Sequence, residues 1–482
     1  MTCAKASRPH RNPIDLVPST VSSSRSRWAS GATCRLAVAC LALWLAPMGP
    51  AAADGHGRTG GPDLHVSSLE DESGALSFDE VLALGERFVD GTGSMNHGFT
   101  SSAHWFTFPL ERSEEGNPWL LEIGYPLLDH IDLHLRYDDG HLEHFRSGDS
   151  LPFGERPIKH RSFVFPIEFD AGRRSVEVYA RVRTASSMQL PLDVWAPGAF
   201  HERKRDEQLL LGLFYGLLLA ILLYNTLLAL SVREIVYAYY ASYVLCYGLL
   251  QLCLNGLSFE YLWPESTYLA AKGTLIFMPL TSVLSARFSR EILEITSRRP
   301  RLSKLFDAFV LCSAAGLPLA FAVPYATAIQ VQSLTAILGV VLYACAGVIT
   351  YRDGVAAARY YLLAWSLFLV GVLMYALKTY GLLPENTVTE YTVQVGSALE
   401  VILLSFAIAH RFKVMREETL RAEQASSALL EQRVAERTAT LEGALAQLSS
   451  ANARLKTLST TDGLTGLFNR AHFNARLATM WR

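Results

Sequence analysis

The chain has 482 residues, half of them apolar and only 18% charged, with a formal charge of −2 at neutral pH. That length leaves room for about three domains, and the composition is too apolar for an ordinary soluble protein. The near-neutral charge argues against a nucleic-acid partner, which would call for a basic surface.

Residues 1–53 read as a leader and secretory signal peptide. Arg25, Arg27 and Arg35 precede an apolar run from Leu36 to Ala46, and Ala51-Ala52-Ala53 offers a small-residue cleavage site before Asp54. The run is too short for a comfortable transmembrane helix. The leader is unusually long. A start codon placed too far upstream would explain that, whereas an uncleaved leader would add an N-terminal anchor. Cys3, Cys34 and Cys40 lie here, and Cys246, Cys253, Cys312 and Cys345 lie in later apolar runs, where they read as small packing residues. No cysteine falls between Asp54 and Glu207. The exported region must therefore be held by a core of its own rather than by a disulfide.

That region, residues 54–205, opens with a short predicted helix from Ser77 to Phe88, with Phe78 or Val81 and Leu82 or Leu84 facing inward. From about Phe99 to Trp195 the pattern has period two. Strands are predicted at Trp105–Leu110, Trp119–Gly124, His130–Arg136, Ser162–Phe169, Val176–Val182 and Leu190–Trp195, with hairpin turns at Asp138-Asp139-Gly140 and Asp170-Ala171-Gly172. The fold expected is a β-sandwich of about eight strands. Trp105, Trp119, Tyr125 and Trp195 could stack on a sugar ring, although aromatic residues in sandwiches more often fill the core. His130, Asp132 and His134 share a strand face; they could hold a metal, or simply be solvated.

Three phrases go beyond pattern: His104-Trp105-Phe106-Thr107-Phe108, Gly148-Asp149-Ser150-Leu151-Pro152-Phe153 and Pro191-Leu192-Asp193-Val194-Trp195. In order and spacing they resemble the extracellular domain of the seven-transmembrane receptors with diverse intracellular signalling modules. The resemblance implies a jelly-roll-like domain that takes a small ligand such as a carbohydrate.

Seven apolar runs of membrane-spanning length follow in residues 206–411, roughly Leu209–Leu230, Ile235–Leu254, Tyr268–Phe288, Leu305–Val323, Ala326–Thr350, Arg359–Tyr380 and Tyr391–His410. The loop between the third and fourth carries Arg287, Arg290, Arg298, Arg299, Arg301 and Lys304, and Arg233, Arg352, Arg359, Arg411 and Lys413 fall on the same side. The basic side is cytoplasmic, which places the N-terminal domain in the periplasm, as the signal peptide requires. The expected location is the bacterial inner membrane. Tyr224-Asn225 and Glu400-Val401-Ile402-Leu403-Leu404-Ser405-Phe406-Ala407 also resemble the receptor family. Asn225, Lys272, Gln330, Gln332 and Glu400 are polar groups in apolar helices and are expected to face the bundle. Asn225 and Glu400 are the candidates for signal coupling, against the plainer reading of static interhelical packing. A transporter would also place charges here, but the helices show no paired, matching interruptions.

Residues 412–458 are rich in Ala, Glu, Arg, Gln and Leu and lack Pro. Val434, Thr438, Leu441, Leu445, Leu448, Asn452 and Leu455 alternate in steps of four and three. That is the seam of a parallel two-stranded coiled coil, so a homodimer is expected. Leu430–Thr438 resembles the signalling helix found ahead of both histidine kinases and cyclases. Asp462-Gly463-Leu464-Thr465-Gly466-Leu467-Phe468-Asn469-Arg470 decides between them, because it resembles the opening D-x-L-T-G-L-x-N-R of a GGDEF diguanylate cyclase domain. The resemblance implies an α/β module that joins two GTP into cyclic di-GMP with Mg²⁺. Asp462, Leu464, Thr465, Gly466, Leu467, Asn469 and Arg470 belong to its structural opening. No Gly-Gly-Asp/Glu-Glu-Phe occurs in residues 459–482. This segment is therefore expected to hold no catalytic, cofactor or metal residues and to be catalytically incompetent as it stands. The overall expectation is a multidomain membrane receptor that controls a diguanylate cyclase output: sandwich, seven-helix bundle, coiled-coil helix and a cyclase fragment. The alternative is a non-enzymatic seven-helix receptor that acts by dimerising with other signalling proteins.

Overall fold

The computed structural model describes residues 64–90, 96–112, 118–170, 172–379, 383, 389 and 391–481. The predicted leader and signal peptide lie outside these residues.

Among the described residues, eleven strands form the N-terminal domain: β1 (Ser67–Asp71), β2 (Val89–Asp90), β3 (Asn96–Gly98), β4 (Ala103–Glu111), β5 (Trp119–Ile123), β6 (His130–Tyr137), β7 (Leu142–Ser147), β8 (Phe163–Ile167), β9 (Ser175–Arg183), β10 (Met188–Gln189) and β11 (Leu192–Trp195). A six-stranded sheet, ordered β2-β1-β4-β9-β6-β7, faces a three-stranded sheet, β11-β5-β8; β10 and β3 form a separate pair. The predicted strands are present, and the further ones are mostly two or three residues long, too short to leave a periodic signal.

Alternation explains the layers. Along β6, Ile131, Leu133, Leu135 and Tyr137 point into the core with Phe106, Phe108, Val178 and Ala180, while His130, Asp132, His134 and Arg136 stand on the opposite face. The other sheet adds Trp119, Leu121, Ile123, Phe163, Phe165 and Val194 to the same core. Its back is covered too: Leu120, Val164 and Trp195 pack on Phe200 from the following helix. The back of the large sheet is partly roofed by α1 (Phe78–Ala83), whose Val81 lies on Trp105 and Tyr179. Ser77 starts α1 through a capping box with Glu80.

One predicted turn is different. Asp138 to Gly140 closes the β6–β7 hairpin, with Gly140 at φ 82°. Asp170 and Gly172 do not close a hairpin, because β8 pairs with β5 while β9 lies between β4 and β6 in the other sheet. The turn carries the chain across the sandwich. Local turn residues fix a reversal but not its partner strand.

Among the described residues, seven helices are long and apolar enough to cross a membrane: α2 (Pro197–Val232), α3 (Ile235–Leu254), α5 (Thr267–Ile292), α7 (Pro300–Ala322), α8 (Tyr325–Arg352), α9 (Ala358–Thr379) and α10 (Thr392–Thr460). Short α4 (Leu257–Tyr261) and α6 (Ile295–Arg298) sit in the loops, and α11 (Arg470–Met480) follows α10. The last membrane helix and the predicted coiled coil are a single helix of 69 residues, about 100 Å long at 1.5 Å per residue.

Candidate functional site

The sandwich and the bundle meet at a buried ionic junction built from three parts of the chain. Glu122 lies on β5, Arg161 precedes β8, and Lys204 and Glu207 sit one turn apart near the start of α2. Lys204 Nζ donates to Glu122 Oε1 at 2.6 Å and to Glu207 Oε2 at 2.8 Å, while Arg161 donates to Glu207 Oε1. Trp195 Nε1 donates to the second Glu122 oxygen at 3.0 Å. Glu122, Lys204 and Glu207 are all buried. Two cations and two carboxylates cancel, so the set is stable only while complete; a buried charge that loses its partner costs several kcal/mol. Beside them, burial and the neighbouring Lys204 push His160 down to about 4, which keeps a third cation out of the cluster.

A second contact surrounds it. Phe153 N donates to Pro264 O at 3.0 Å, and the Phe153 ring meets Phe259 of α4 edge-on at 5.8 Å. Arg156 lies 4.3 Å over the Phe163 ring and 5.5 Å from that of Phe259, and donates to His160 O and Arg161 O. Burial pushes the Arg156 guanidinium down to about 10, still charged at neutral pH. Gly256, at φ 75°, lets the α3–α4 loop touch the sandwich: a Cβ there would lie 2.7 Å from Pro126 Cβ and 2.9 Å from Arg161 O.

From the junction a polar path enters the bundle. Arg161 Nη1 donates to Asn255 O at 3.2 Å, and Asn255 Nδ2 to Tyr215 Oη at 2.8 Å. One turn into α3, Gln251 donates to Tyr247 Oη at 2.6 Å. Tyr247, Tyr243 and Tyr240 then follow with ring centroids 6.0 and 6.3 Å apart. Tyr243 Oη donates to Glu400 Oε1 at 2.9 Å, and Tyr240 Oη to Val401 O. Both acceptors are on α10, the helix that leaves the bundle.

The residues singled out from sequence fall at different places. Glu400 is fully buried on this path. Asn225 is buried and donates to Ile221 O on its own helix, with a longer 3.4 Å contact to Ser405 of α10. Gln332 is buried and ties α8 to Leu275 O and Gly316 O, and Lys272 donates to Ala320 O. Gln330 is exposed, contrary to expectation, because residues two apart on a helix cannot share a face. Trp105 and Trp119 are 1% and 3% exposed and fill cores, so neither presents a ring to a sugar here. Trp195 is held by Glu122. Tyr125 is half-buried at the junction near Tyr325 and Asp149, and burial raises its hydroxyl to about 12. His130, Asp132 and His134 do not converge on a metal site: no group of three such ligands occurs among the described residues, and His134 stacks instead between Phe78 and His144.

The Asp462 motif makes a closed turn. Asp462 Oδ1 accepts from Leu464 N, Thr465 N and Thr465 Oγ1, each at 3.1 Å, and Gly466 sits at φ 66°. Asn469 caps α11 through His472 N and donates back to Ser459 O. Arg470 is the first residue of α11, and Leu464 and Leu467 stand exposed.

The junction residues could not be ranked from sequence, since Glu122 and Lys204 are 82 positions apart. The one available signal is the spacing of Tyr240, Tyr243, Tyr247 and Gln251, which puts four polar-tipped groups on one face of α3.

Two family models match the chain. One, described as the 7TMR-DISM extracellular domain 2, covers residues 63–196, and the other, described as 7TM diverse intracellular signalling, covers residues 207–411. No curated protein matches it. With its sandwich, its seven apolar helices and both matches, the chain belongs to the seven-transmembrane receptors with diverse intracellular signalling modules.

Proposed function

We infer that this multi-pass receptor sits in the bacterial inner membrane, with the sandwich in the periplasm and α10 emerging into the cytoplasm. A small ligand, such as a carbohydrate, acts on the sandwich. The response controls a diguanylate cyclase output that makes cyclic di-GMP from two GTP, with Mg²⁺ needed only by that catalytic module. The observation that carries the reading is continuity. One helix runs from Thr392, through buried Glu400, to Thr460, and leads directly into the Asp462–Arg470 turn. A shift of α10 at Glu400 must therefore move whatever follows Arg470. Two chains would pair along the Val434–Leu455 seam, so that rotation or translation of α10 changes how two catalytic modules meet.

The test is a chimera that places an intact diguanylate cyclase catalytic domain after Arg470 in native helical phase. Cells expressing it should accumulate cyclic di-GMP. Inserting four residues near Ser427 should change that level several-fold, whereas inserting seven should restore it. Equal output from all three chimeras would refute control by helix phase.

A further inference from the structure

The sandwich carries a cleft of distinct chemistry, where the ends of β6, β7 and β9 come together. Its walls include His130, Asp132, Arg146, Ser147, Arg181 and Arg183, and its volume is about 130 Å³, far more than one water needs. Cross-strand register builds it. Asp132 pairs with Arg181 on one side and Arg146 on the other, and His130 pairs with Arg183. Three guanidiniums thus line a space containing one carboxylate. Asp132 accepts from Arg181 Nη1 at 3.2 Å and lies 3.4 Å from Arg146 Nε. Arg183 has no ion pair among the described residues. Asp71, which also faces Arg181, spends its oxygens on Ser73, Gly74 and Leu76. One buried donor on the face of Asp132, Arg181 Nε, has no hydrogen-bond partner among the described residues. That unmet donor together with surplus positive charge describes an anion site, best matched by the fork of a guanidinium on a planar or tetrahedral oxyanion.

The cleft also adjoins the junction. β7 leaves it through Gly148, at φ 143°, where a Cβ would strike Asp129 O. The next residues are Asp149, whose N donates to Leu128 O at 2.9 Å, then Leu151, which lines the cleft, and Phe153, which docks on Pro264. On the β9 side, Arg183 is followed by Thr184, whose Oγ1 reaches Asp129 Oδ2 at 3.1 Å. A ligand that draws Arg146 and Arg183 together would move the segment that touches the membrane domain.

We propose that this cleft binds a small oxyanion, a carboxylate or phosphate group, and that it is the ligand site of the receptor. The proposal rests on the sandwich being the sensor, but not on any cyclase output. The test is calorimetric titration of the full chain in lipid nanodiscs, at constant ionic strength, with succinate, with inorganic phosphate and with glucose. One of the two anions should bind saturably, which also tells a carboxylate from a phosphate source. Arg183→Gln and Arg146→Gln, both at exposed positions, should each weaken that binding about tenfold, equivalent to one charged contact, while leaving the melting temperature in place. Saturable glucose binding without anion binding would overturn the proposal, as would anion binding that neither substitution alters. Binding is scored without cyclic di-GMP, so failure of the phase test and failure here remain distinguishable.

Discussion

Asp149 is a carboxyl group buried between sandwich and bundle, with Oδ1 unpartnered among the described residues. Burial raises its pKa well above the usual carboxylate value, the charge of Asp129 adds to the rise, and Arg156 opposes it. Tyr125 and Tyr325 are the other titratable groups it faces. A raised pKa means that the folded state favours the neutral acid. Its contribution to stability is therefore complete below the ordinary aspartate pKa and is lost as the pH rises through the raised value. The thermal stability of the full chain should fall over that range, and Asp149→Asn, which stays neutral, should flatten the fall. A wild-type and variant pair with parallel pH profiles would contradict this. None of this was legible from the phrase Gly148–Phe153, which marked the loop through family resemblance but could not say that it docks on another domain.

At the scale of elements, α10 behaves as two helices with one backbone. Its first five turns bury Gly396, Glu400, Val401, Leu404 and Ala407, whereas everything from Arg416 to Ser459 is exposed in the single chain. Val434, Leu441, Leu445, Leu448 and Leu455 form an unpartnered apolar stripe, each more than half exposed. A heptad stripe of this kind is stable only against another helix. Leu441→Cys should crosslink efficiently between two chains in membranes, while Glu442→Cys, about 100° around the helix, should crosslink several-fold less. Equal yields would argue against the seam. The seven-residue periodicity was plain in the sequence because it is local. The absence of any break at residue 412 was not, since a loop and a continuous helix can carry the same polar composition there.

At the scale of the molecule, sandwich and bundle are joined by the complete set Glu122, Arg161, Lys204 and Glu207. Lys204→Met would leave Glu122 buried without a counter-charge while Arg161 still pairs with Glu207, at a cost of about 3–5 kcal/mol. The expected result is uncoupling: calorimetric unfolding should change from one transition to two, with the sandwich melting separately. A single transition at the wild-type temperature would show that the network does not hold the domains together. The sequence by itself determined the main strands, the seven spans, the heptad stripe and the family, because alternation, apolar length and short motifs are properties of neighbouring residues. It also supplied Glu400, a carboxylate conspicuous in an apolar run. Only the tertiary structure decided that Trp105 and Trp119 are core, that Gln330 faces outward, and that Arg146, Arg181 and Arg183 enclose one cleft. It alone showed that Lys204 completes an ion set with residues from another domain, since such pairings depend on strand register and domain docking, which no local pattern encodes.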